Sequence, residues 1–309
     1  MKIAAITISY NDDYKFDQWV SYYNEYKEDI YLHIIVDNGS DPKYLSRLES
    51  VFQNSIIIKR KENGGCTTAY NDGIRYAMKD PEVDSIMLIG NDIRLSKRGV
   101  ALLHEFLYSD NRYGMVSPIM FAKNSEIVEN YGCYFDFFYT MQSWDKGKTI
   151  KEIKEEYKIV DLVPGGMNMA KRSFYEEIGL QDENLFMYSD EPDICLRAKE
   201  KNFLFAATKK VSSWHQHINP NATVLRQPLA PYLIARNYIY ISKKHFSLLR
   251  YCLNLFYFFL RVCMVKLKSF TSSKEKQLYA TYLLKGMISG IKGNMDNTDI
   301  IKGHLHLKK

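Results

Sequence analysis

Short apolar runs alternate with segments of helical period through residues 1–90. The runs are rich in β-branched side chains and closed by polar turns, as buried strands are. They cover residues 2–9, 31–37, 55–59 and 85–89. The segments between them repeat apolar side chains every three or four positions, at residues 16–26, 43–52 and 67–78. This alternation predicts an α/β fold with a mixed, mostly parallel sheet flanked by helices.

Small polar or acidic residues follow the predicted strands. They are Asn11, Asp37, Asn63 with Gly64, and Asp92. In open sheets of this kind, ligands bind beyond the carboxyl ends of the strands. We therefore expect these residues to share one ligand-binding edge.

The basic charge of the chain is concentrated in its last quarter. The 309 residues are 46% hydrophobic and 25% charged, typical of a globular protein rather than a disordered one. Residues 1–228 carry 28 Lys and Arg against 33 Asp and Glu, whereas residues 229–309 carry 14 against 3. We predict an α/β domain over residues 1–228 and a basic helical extension over residues 229–309.

The extension is aromatic as well as basic over residues 231–270. Its apolar run, residues 251–265, is shorter than the roughly 20 residues that span a bilayer. Lys and Arg beside Leu, Phe and Tyr favour an amphipathic segment on an anionic membrane surface. A helix packed on the main domain is the alternative.

Two further features bear on location. The five cysteines form no CxxC pair, which favours a reducing compartment. The segment MKIAAITISYND turns polar too early for a signal peptide. We expect a cytoplasmic protein, peripheral on the inner face of the cell membrane.

Residues 145–158 are densely charged, with Ile150, Ile153 and Tyr157 at helical spacing. This pattern predicts a surface helix, or a lid over a site.

Two loops carry weak signals for nucleotide binding. Asp37 precedes the turn Asn38-Gly39-Ser40 and could contact a base or ribose. Gly64 and Gly65 after Asn63 would allow the backbone to approach a phosphate. Either loop could equally be an ordinary turn.

Three acidic or basic motifs could carry chemistry. Asp92 could hold a divalent cation, which typically takes one or two protein carboxylates, or could cap a helix. Asp190, Glu191 and Asp193 open a predicted helix, where mutual repulsion could raise the pKa of one carboxyl and suit it to act as a base. His215 and His217 could contact a metal or a diphosphate, or be structural.

Taken in order, these motifs resemble the family 2 glycosyltransferases of the GT-A fold, particularly bacterial enzymes that build rhamnose- or galactofuranose-containing surface polysaccharides. The matching segments are ITISYND, VDNGS, ENGGCTTAYNDGI, MLIGNDIRL, residues 163–203 and WHQH.

The resemblance implies a role for each candidate. Thr7, Ser9 and Asn11 would line the nucleotide pocket, and Asp37 would contact the base or ribose. Asn63, Gly65, Asn71 and Asn91 would lie beside the diphosphate and donor sugar. Asp92 would bind Mn²⁺ or Mg²⁺, assisted by His215. Gly165, Gly166 and Met167 would form the sugar and acceptor loop, and Glu191 would be the catalytic base.

The sequence departs from the family pattern at two positions. Gly90 replaces the first polar residue of the metal motif, and Glu191 stands where the family usually has Asp. Asp190 or Asp193 could instead be the base.

The resemblance implies an inverting, metal-dependent glycosyltransferase that uses a UDP- or dTDP-sugar. Its acceptor would be a glycan, lipid-linked, in synthesis of a capsule or O-antigen type of polysaccharide. The alternatives are a sugar-phosphate nucleotidyltransferase and a catalytically degenerate saccharide-binding protein. Nucleic-acid binding is not expected, because the basic residues of the extension alternate with Leu and Phe.

Overall fold

The computed structural model describes residues 1–216 and 229–301. The strands are β1 Ile3–Ser9, β2 Leu32–Asp37, β3 Ile56–Lys59, β4 Ser85–Ile89, β5 Ile93–Leu95, β6 Tyr113–Ala122, β7 Val128–Asn130, β8 Cys133–Phe135, β9 Met141–Ser143, β10 Tyr157–Val160, β11 Met167–Lys171 and β12 Leu204–His215. The helices are α1 Phe16–Tyr26, α2 Pro42–Val51, α3 Gly65–Ala77, α4 Gly99–Leu107, α5 Arg172–Ile178, α6 Asp190–Lys199, α7 Leu229–His245, α8 Leu248–Ser269, α9 Lys274–Lys292 and α10 Thr298–Ile301.

A central sheet follows the order β10-β12-β6-β11-β4-β1-β2-β3. Within this described path, all strands except β10 and β11 run in one direction. The predicted mixed, mostly parallel α/β sheet is therefore confirmed. Strand β5 pairs with β12 and β7 pairs with β6, both antiparallel.

Both faces of β1 are buried, which explains why its sequence is an almost continuous apolar run. Ala4 and Ile6 join one core cluster, which also contains Ile74 of α3. Ile3 and Ala5 join another, which contains Leu103 of α4. The parallel register pairs Ser9 with Asp37, so the ends of β1 and β2 meet at one edge.

The helix predicted over residues 145–158 is wrong. The segment forms a short 3-10 turn, Ile150–Glu152, followed by strand β10. Tyr157 to Val160 pair antiparallel with β12. Pairing at the edge of the sheet overrides the helical spacing of the apolar residues, and no lid helix forms here.

The extension forms three long helices. Helices α7, α8 and α9 surround a core made by Ala235, Ile239, Phe258, Val262, Leu283 and Met287. Close approach of α9 to α7 depends on glycine, since a Cβ at Gly290 would lie 2.7 Å from the Arg236 carbonyl oxygen. Division of the chain at residue 228 stays a prediction.

Helix α8 is longer than the apolar run seen in the sequence. It has 22 residues and is, among the described residues, the one helix long and apolar enough to cross a membrane by length and composition. The expectation that this segment is too short to span a bilayer is therefore wrong as to length. Whether α8 spans a membrane depends on how it packs against its neighbours.

Candidate active site

The predicted nucleotide pocket lies at the carboxyl ends of β1 and β2. Thr7 and Ser9 are fully buried, and Ser9 shares a hydrogen bond with the Tyr44 hydroxyl. The Thr7 hydroxyl has no partner among the described residues. Asn11 connects the loop after β1 to the turn after β2, because its backbone N–H donates a hydrogen bond to Ser40 Oγ at 3.0 Å.

Asp37 has one unsatisfied oxygen. The side chain is 1% exposed, and its Oδ2 accepts a hydrogen bond from the Ser40 backbone N–H at 3.2 Å. Within residues 1–216 and 229–301, its buried Oδ1 finds no partner. Because leaving a buried acceptor unpaired is costly, this atom is suited to receive a hydrogen bond from a ligand hydroxyl or base.

The glycine loop is held by Asn38. The Asn38 amide donates to Asn63 Oδ1 at 2.9 Å and to the Gly65 carbonyl at 3.2 Å. Gly65 has φ of +85°, and a Cβ there would overlap the Phe186 carbonyl oxygen. Only glycine allows this close approach between the start of α3 and the segment before α6.

Asn71 is fully buried in α3. Its amide donates to the Gln181 carbonyl and to Glu183 Oε1, both at 2.9 Å, and its Oδ1 accepts from the Gln181 N–H at 3.0 Å. The side chain thus ties α3 to the segment after α5. Contact with the donor sugar stays a prediction.

Strand pairing brings the predicted metal residues together. β12 pairs with β5 so that His215 lies opposite Ile93. Asp92 Oδ2 is 3.6 Å from His215 Nε2, and Glu129 Oε2 is 3.7 Å from His215 Nδ1. His217 lies outside the described residues.

Two residues after β1 complete this cluster. Asp12 Oδ2 accepts a hydrogen bond from the Asn91 amide at 2.6 Å. Lys15 Nζ is 3.2 Å from Asp12 Oδ1 and 4.0 Å from Asp92 Oδ2. Asn91 therefore orients the loop rather than presenting a free amide.

The opposite charges of this cluster stabilise the ionised forms of its residues. Burial alone would raise the pKa of Asp92, but the neighbouring His215 imidazole and the Lys15 charge hold it well below its usual range. Burial alone would lower the pKa of His215, but Asp92 and Glu129 raise it to about 9. In the absence of a metal, the Asp92–His215 pair is an ion pair.

A divalent cation fits this donor set. Mn²⁺ and Mg²⁺ favour carboxylate oxygens such as those of Asp92, and the His215 imidazole could join them once it releases the proton that Asp92 and Glu129 stabilise. No group of three His, Cys, Asp or Glu side chains suited to a metal occurs in the described part of the chain. An ion held by Asp92 and His215 would therefore complete its shell with diphosphate oxygens and water.

A chain of contacts connects Glu191 to this cluster. The Glu191 carboxylate packs directly on Gly165, where a Cβ would overlap its Oε1. The Gly166 carbonyl accepts a hydrogen bond from the Gly90 N–H at 2.9 Å. Gly90 in turn is two residues from Asp92, so the predicted base and metal loops are adjacent.

Asp190 and Glu191 are neighbouring carboxyls in the first turn of α6. Burial raises the pKa of both carboxyls, and the negative charge of Asp190 raises that of Glu191 further. Glu191 thus has the raised pKa that suits a general base working near neutral pH.

Asp193 is an anchor, not a candidate base. The side chain is fully buried, and its oxygens meet Arg197 at 3.1 Å, Lys244 at 2.7 Å and His245 at 2.8 Å. Burial would raise its pKa, but the hydrogen bonds from His245 and Lys244 and the charges of Lys244 and Arg197 lower it to about 2. The alternative that Asp193 acts as the base is therefore not supported by its contacts.

Helix α7 also holds the segment between Asn184 and Ser189. Arg236 is fully buried and donates to the carbonyl oxygens of Asn184 and Leu185, at 3.1 and 3.3 Å. The Asn237 amide donates to the carbonyls of Leu185, Met187 and Tyr188, at 3.0, 3.0 and 2.8 Å.

Several site residues carried no clear sequence signal. Asp12 and Lys15 could have been suspected, because they follow β1 at the ligand-binding edge. Glu129 lies on a three-residue strand, and Arg236 lies far along the chain. Neither position is recognisable without the fold.

Known proteins resemble this chain in sequence. The sequence model of Glycosyl transferase family 2 matches residues 20–179, about half of the chain. Low-salt glycan biosynthesis hexosyltransferase Agl10 of Haloferax volcanii is 26% identical over 220 residues, 69% of this chain and 68% of that protein. The dTDP-rhamnosyl transferase RfbF of Shigella flexneri is 21% identical over 255 residues, 80% of this chain and 82% of that protein.

Solved glycosyltransferases resemble it in fold. Mannosyltransferase PcManGT from Pyrobaculum calidifontis, in complex with GDP-Man and Mn²⁺, matches with a TM-score of 0.58 at 11% identity over 95% of this chain and 88% of that one. GalNAc-T7 with UDP, GalNAc and Mn²⁺ matches with a TM-score of 0.57 at 12% identity over 77% of this chain, which spans only 51% of that chain. The predicted GT-A fold is thereby confirmed, and the chain belongs to glycosyl transferase family 2 as a glycosyltransferase.

Proposed function

We propose that this glycosyltransferase inverts the anomeric configuration of a nucleoside-diphosphate sugar, with Glu191 as the general base. The observation that carries the proposal is the contact of Glu191 with Gly165, one residue from the hydrogen bond that joins Gly166 to Gly90. The loop that Glu191 contacts is thus hydrogen-bonded to the loop that carries Asp92, which supports a site shared by the two residues.

In the proposed step, the Glu191 carboxylate accepts the proton of an acceptor hydroxyl. The freed oxygen forms a bond to the anomeric carbon, and the bond from that carbon to the diphosphate oxygen breaks. The nucleoside diphosphate leaves with the bonding electrons. In-line attack of this kind inverts the anomeric centre.

Asp92 and His215 would hold Mn²⁺ or Mg²⁺ beside the leaving group. When bound, the cation would neutralise the developing negative charge of the diphosphate. Lys15, whose ammonium lies 4.0 Å from Asp92, adds a fixed positive charge at the same place.

The donor we propose is a UDP- or dTDP-sugar, since one relative is named a dTDP-rhamnosyl transferase. The acceptor we propose is a glycan, lipid-linked, in bacterial capsule or O-antigen type polysaccharide synthesis. Such an acceptor would place the protein in the cytoplasm, on the inner face of the cell membrane.

Calorimetric titration with UDP, dTDP and GDP tests the donor site before any acceptor is known. We expect one nucleotide to bind in the presence of Mn²⁺ and to lose affinity on addition of excess chelator. Binding of none would favour the catalytically degenerate saccharide-binding alternative.

The base is tested separately. Glu191→Gln should abolish sugar transfer while leaving nucleotide binding unchanged, and the product of the native enzyme should show the inverted anomeric configuration by NMR. Retained transfer by Glu191→Gln would remove the assignment.

A further inference from the structure

One face of α8 is apolar and open to solvent. Along the helix, the exposed apolar side chains recur at steps of three and four residues. They are Leu249, Leu253, Phe256, Leu260, Met264 and Leu267, and we call this set the outer stripe. Phe256 is 62% exposed and Leu267 is 68% exposed. At 3.6 residues per turn these positions form one continuous face.

The opposite face of α8 is buried against α7 and α9. Phe258 and Val262 are each 2% exposed in the core of the three helices. Asn254 is fully buried, with its amide 3.3 Å from Ser242 Oγ of α7. To cross a bilayer, α8 would have to leave these contacts and expose Asn254 to lipid, which is unfavourable.

Cations border the outer stripe. Arg261 and Lys268 are exposed and lie at nearly the same angular position, along one side of the stripe. Arg250 lies on the same side with its guanidinium 4.4 Å from the Phe137 ring. Lys266, on the other side, donates to the Thr281 hydroxyl at 3.1 Å. Helix α8 contains no Asp or Glu. Arg261 lies near the middle of the helix, where a spanning orientation would place its charge deep in the hydrocarbon.

We propose that α8 lies in the plane of an anionic bilayer, with the outer stripe inserted among the acyl chains and the bordering cations on lipid phosphates. An amphipathic helix with a basic margin binds such surfaces by combining apolar burial with electrostatic attraction. A second copy of this chain fits less well, because a two-fold contact between the stripes would bring cation against cation. The proposal does not depend on the reaction proposed above.

Vesicle co-sedimentation of the full chain tests this surface. We expect binding to phosphatidylcholine vesicles that contain phosphatidylglycerol, and weaker binding to phosphatidylcholine alone or at high salt. The double variant Phe256→Glu, Leu260→Glu should bind at least about tenfold more weakly. Val51→Glu, at a 45% exposed apolar residue of α2, is the matched control and should bind as the native chain does.

Three results would overturn the proposal. One is unchanged vesicle binding by the folded double variant, its folding being checked by circular dichroism and by a cooperative thermal unfolding transition like that of the native chain. Another is resistance of vesicle-bound protein to extraction by alkaline carbonate, which would indicate a spanning helix. The third is a native dimer that the double variant dissociates, in a chain that binds no vesicles, since a second copy would then cover the stripe.

Discussion

Glu191 and Gly165 are in direct contact, because the Glu191 carboxylate occupies the space that a Cβ at residue 165 would need. Gly165→Ala should therefore displace the proposed base. We expect kcat to fall by about 10²-fold or more, the contribution typical of a general base, with nucleotide affinity unchanged.

Gly166→Ala is the matched control for this variant. A Cβ there meets the flexible end of Met120 at 3.1 Å and does not approach Glu191. Its kcat should fall much less. Equal losses in both variants would show that the loop, rather than the Glu191 contact, limits the rate.

The pH profile of transfer should report the Glu191 carboxyl. Since burial and Asp190 raise its pKa, the base is protonated at a pH where an ordinary glutamate is ionised. We expect kcat to decline, as pH is lowered, through a pKa above the ordinary value of 4.5. Asp190→Asn removes the neighbouring charge and should shift this decline to lower pH.

The dependence of stability on pH also tests the raised pKa of Glu191, and a variant of Asp190 tests which of the two carboxyls is the base. Because the folded-state pKa of Glu191 is raised, its stabilising contribution is present at low pH and lost as pH rises through that pKa. Glu191→Gln should remove this loss, seen as a smaller fall in Tm between acidic and alkaline buffer. If Asp190→Asn abolishes transfer outright instead of shifting its pH profile, Asp190 is the base.

Asp37→Asn should weaken nucleotide binding. The variant keeps an acceptor for the Ser40 N–H but loses the negative charge of Oδ1, the atom without a partner among the described residues. A hydrogen bond to a charged group contributes about 1.5–3 kcal/mol, so Kd should rise by about tenfold or more. Asp41→Asn, which still caps α2, should bind as the native protein does; equal affinity of both variants would contradict the assignment.

Asp193→Asn should destabilise the fold. Removing one partner from a buried ion pair costs about 3–5 kcal/mol, to be measured by urea unfolding. Because its pKa is lowered to about 2, the stabilisation by Asp193 is present above the ordinary value of 3.8 and is lost as pH falls through about 2.

Asp161→Asn provides the comparison for Asp193. Asp161 pairs with Lys199 near the surface, where the side chains are 30% and 59% exposed. Such pairs contribute about 0–1 kcal/mol. A loss for Asp193→Asn no larger than this would contradict its role as an anchor.

The parallel half of the sheet could be read from the sequence. Strands β1 to β4 combine β-branched residues with polar ends, and their observed bounds differ from the predicted ones by at most one residue. In these strands the local sequence pattern and the burial in the fold favour the same structure, so the pattern alone predicts them. The helix predicted over residues 145–158 was wrong because β10 is a strand only through its pairing with β12.

The site was predictable only in part. Asp92 follows a recognisable strand, but its proximity to His215 depends on β5, whose three residues carry no usable period. Local sequence chemistry does not separate Asp190, Glu191 and Asp193, and only the family resemblance favoured Glu191 as the base. Lys244 and His245 distinguish them, and these residues reach Asp193 only because α7 packs beside α6.

Every hydrogen bond that Arg236 and Asn237 donate to residues 184–188 ends on a main-chain carbonyl oxygen. These hydrogen bonds therefore do not depend on which side chains the segment carries, whereas the packing of buried Phe186 on Leu229 and Leu233 does. Phe186 and Tyr188 have φ of +62° and +67°, a backbone region that glycine, asparagine and aspartate tolerate best and β-branched residues least. A library that randomises the half-buried positions Met187 and Tyr188, and keeps Leu185 and Phe186, can thus alter what borders the active site while the segment keeps its course.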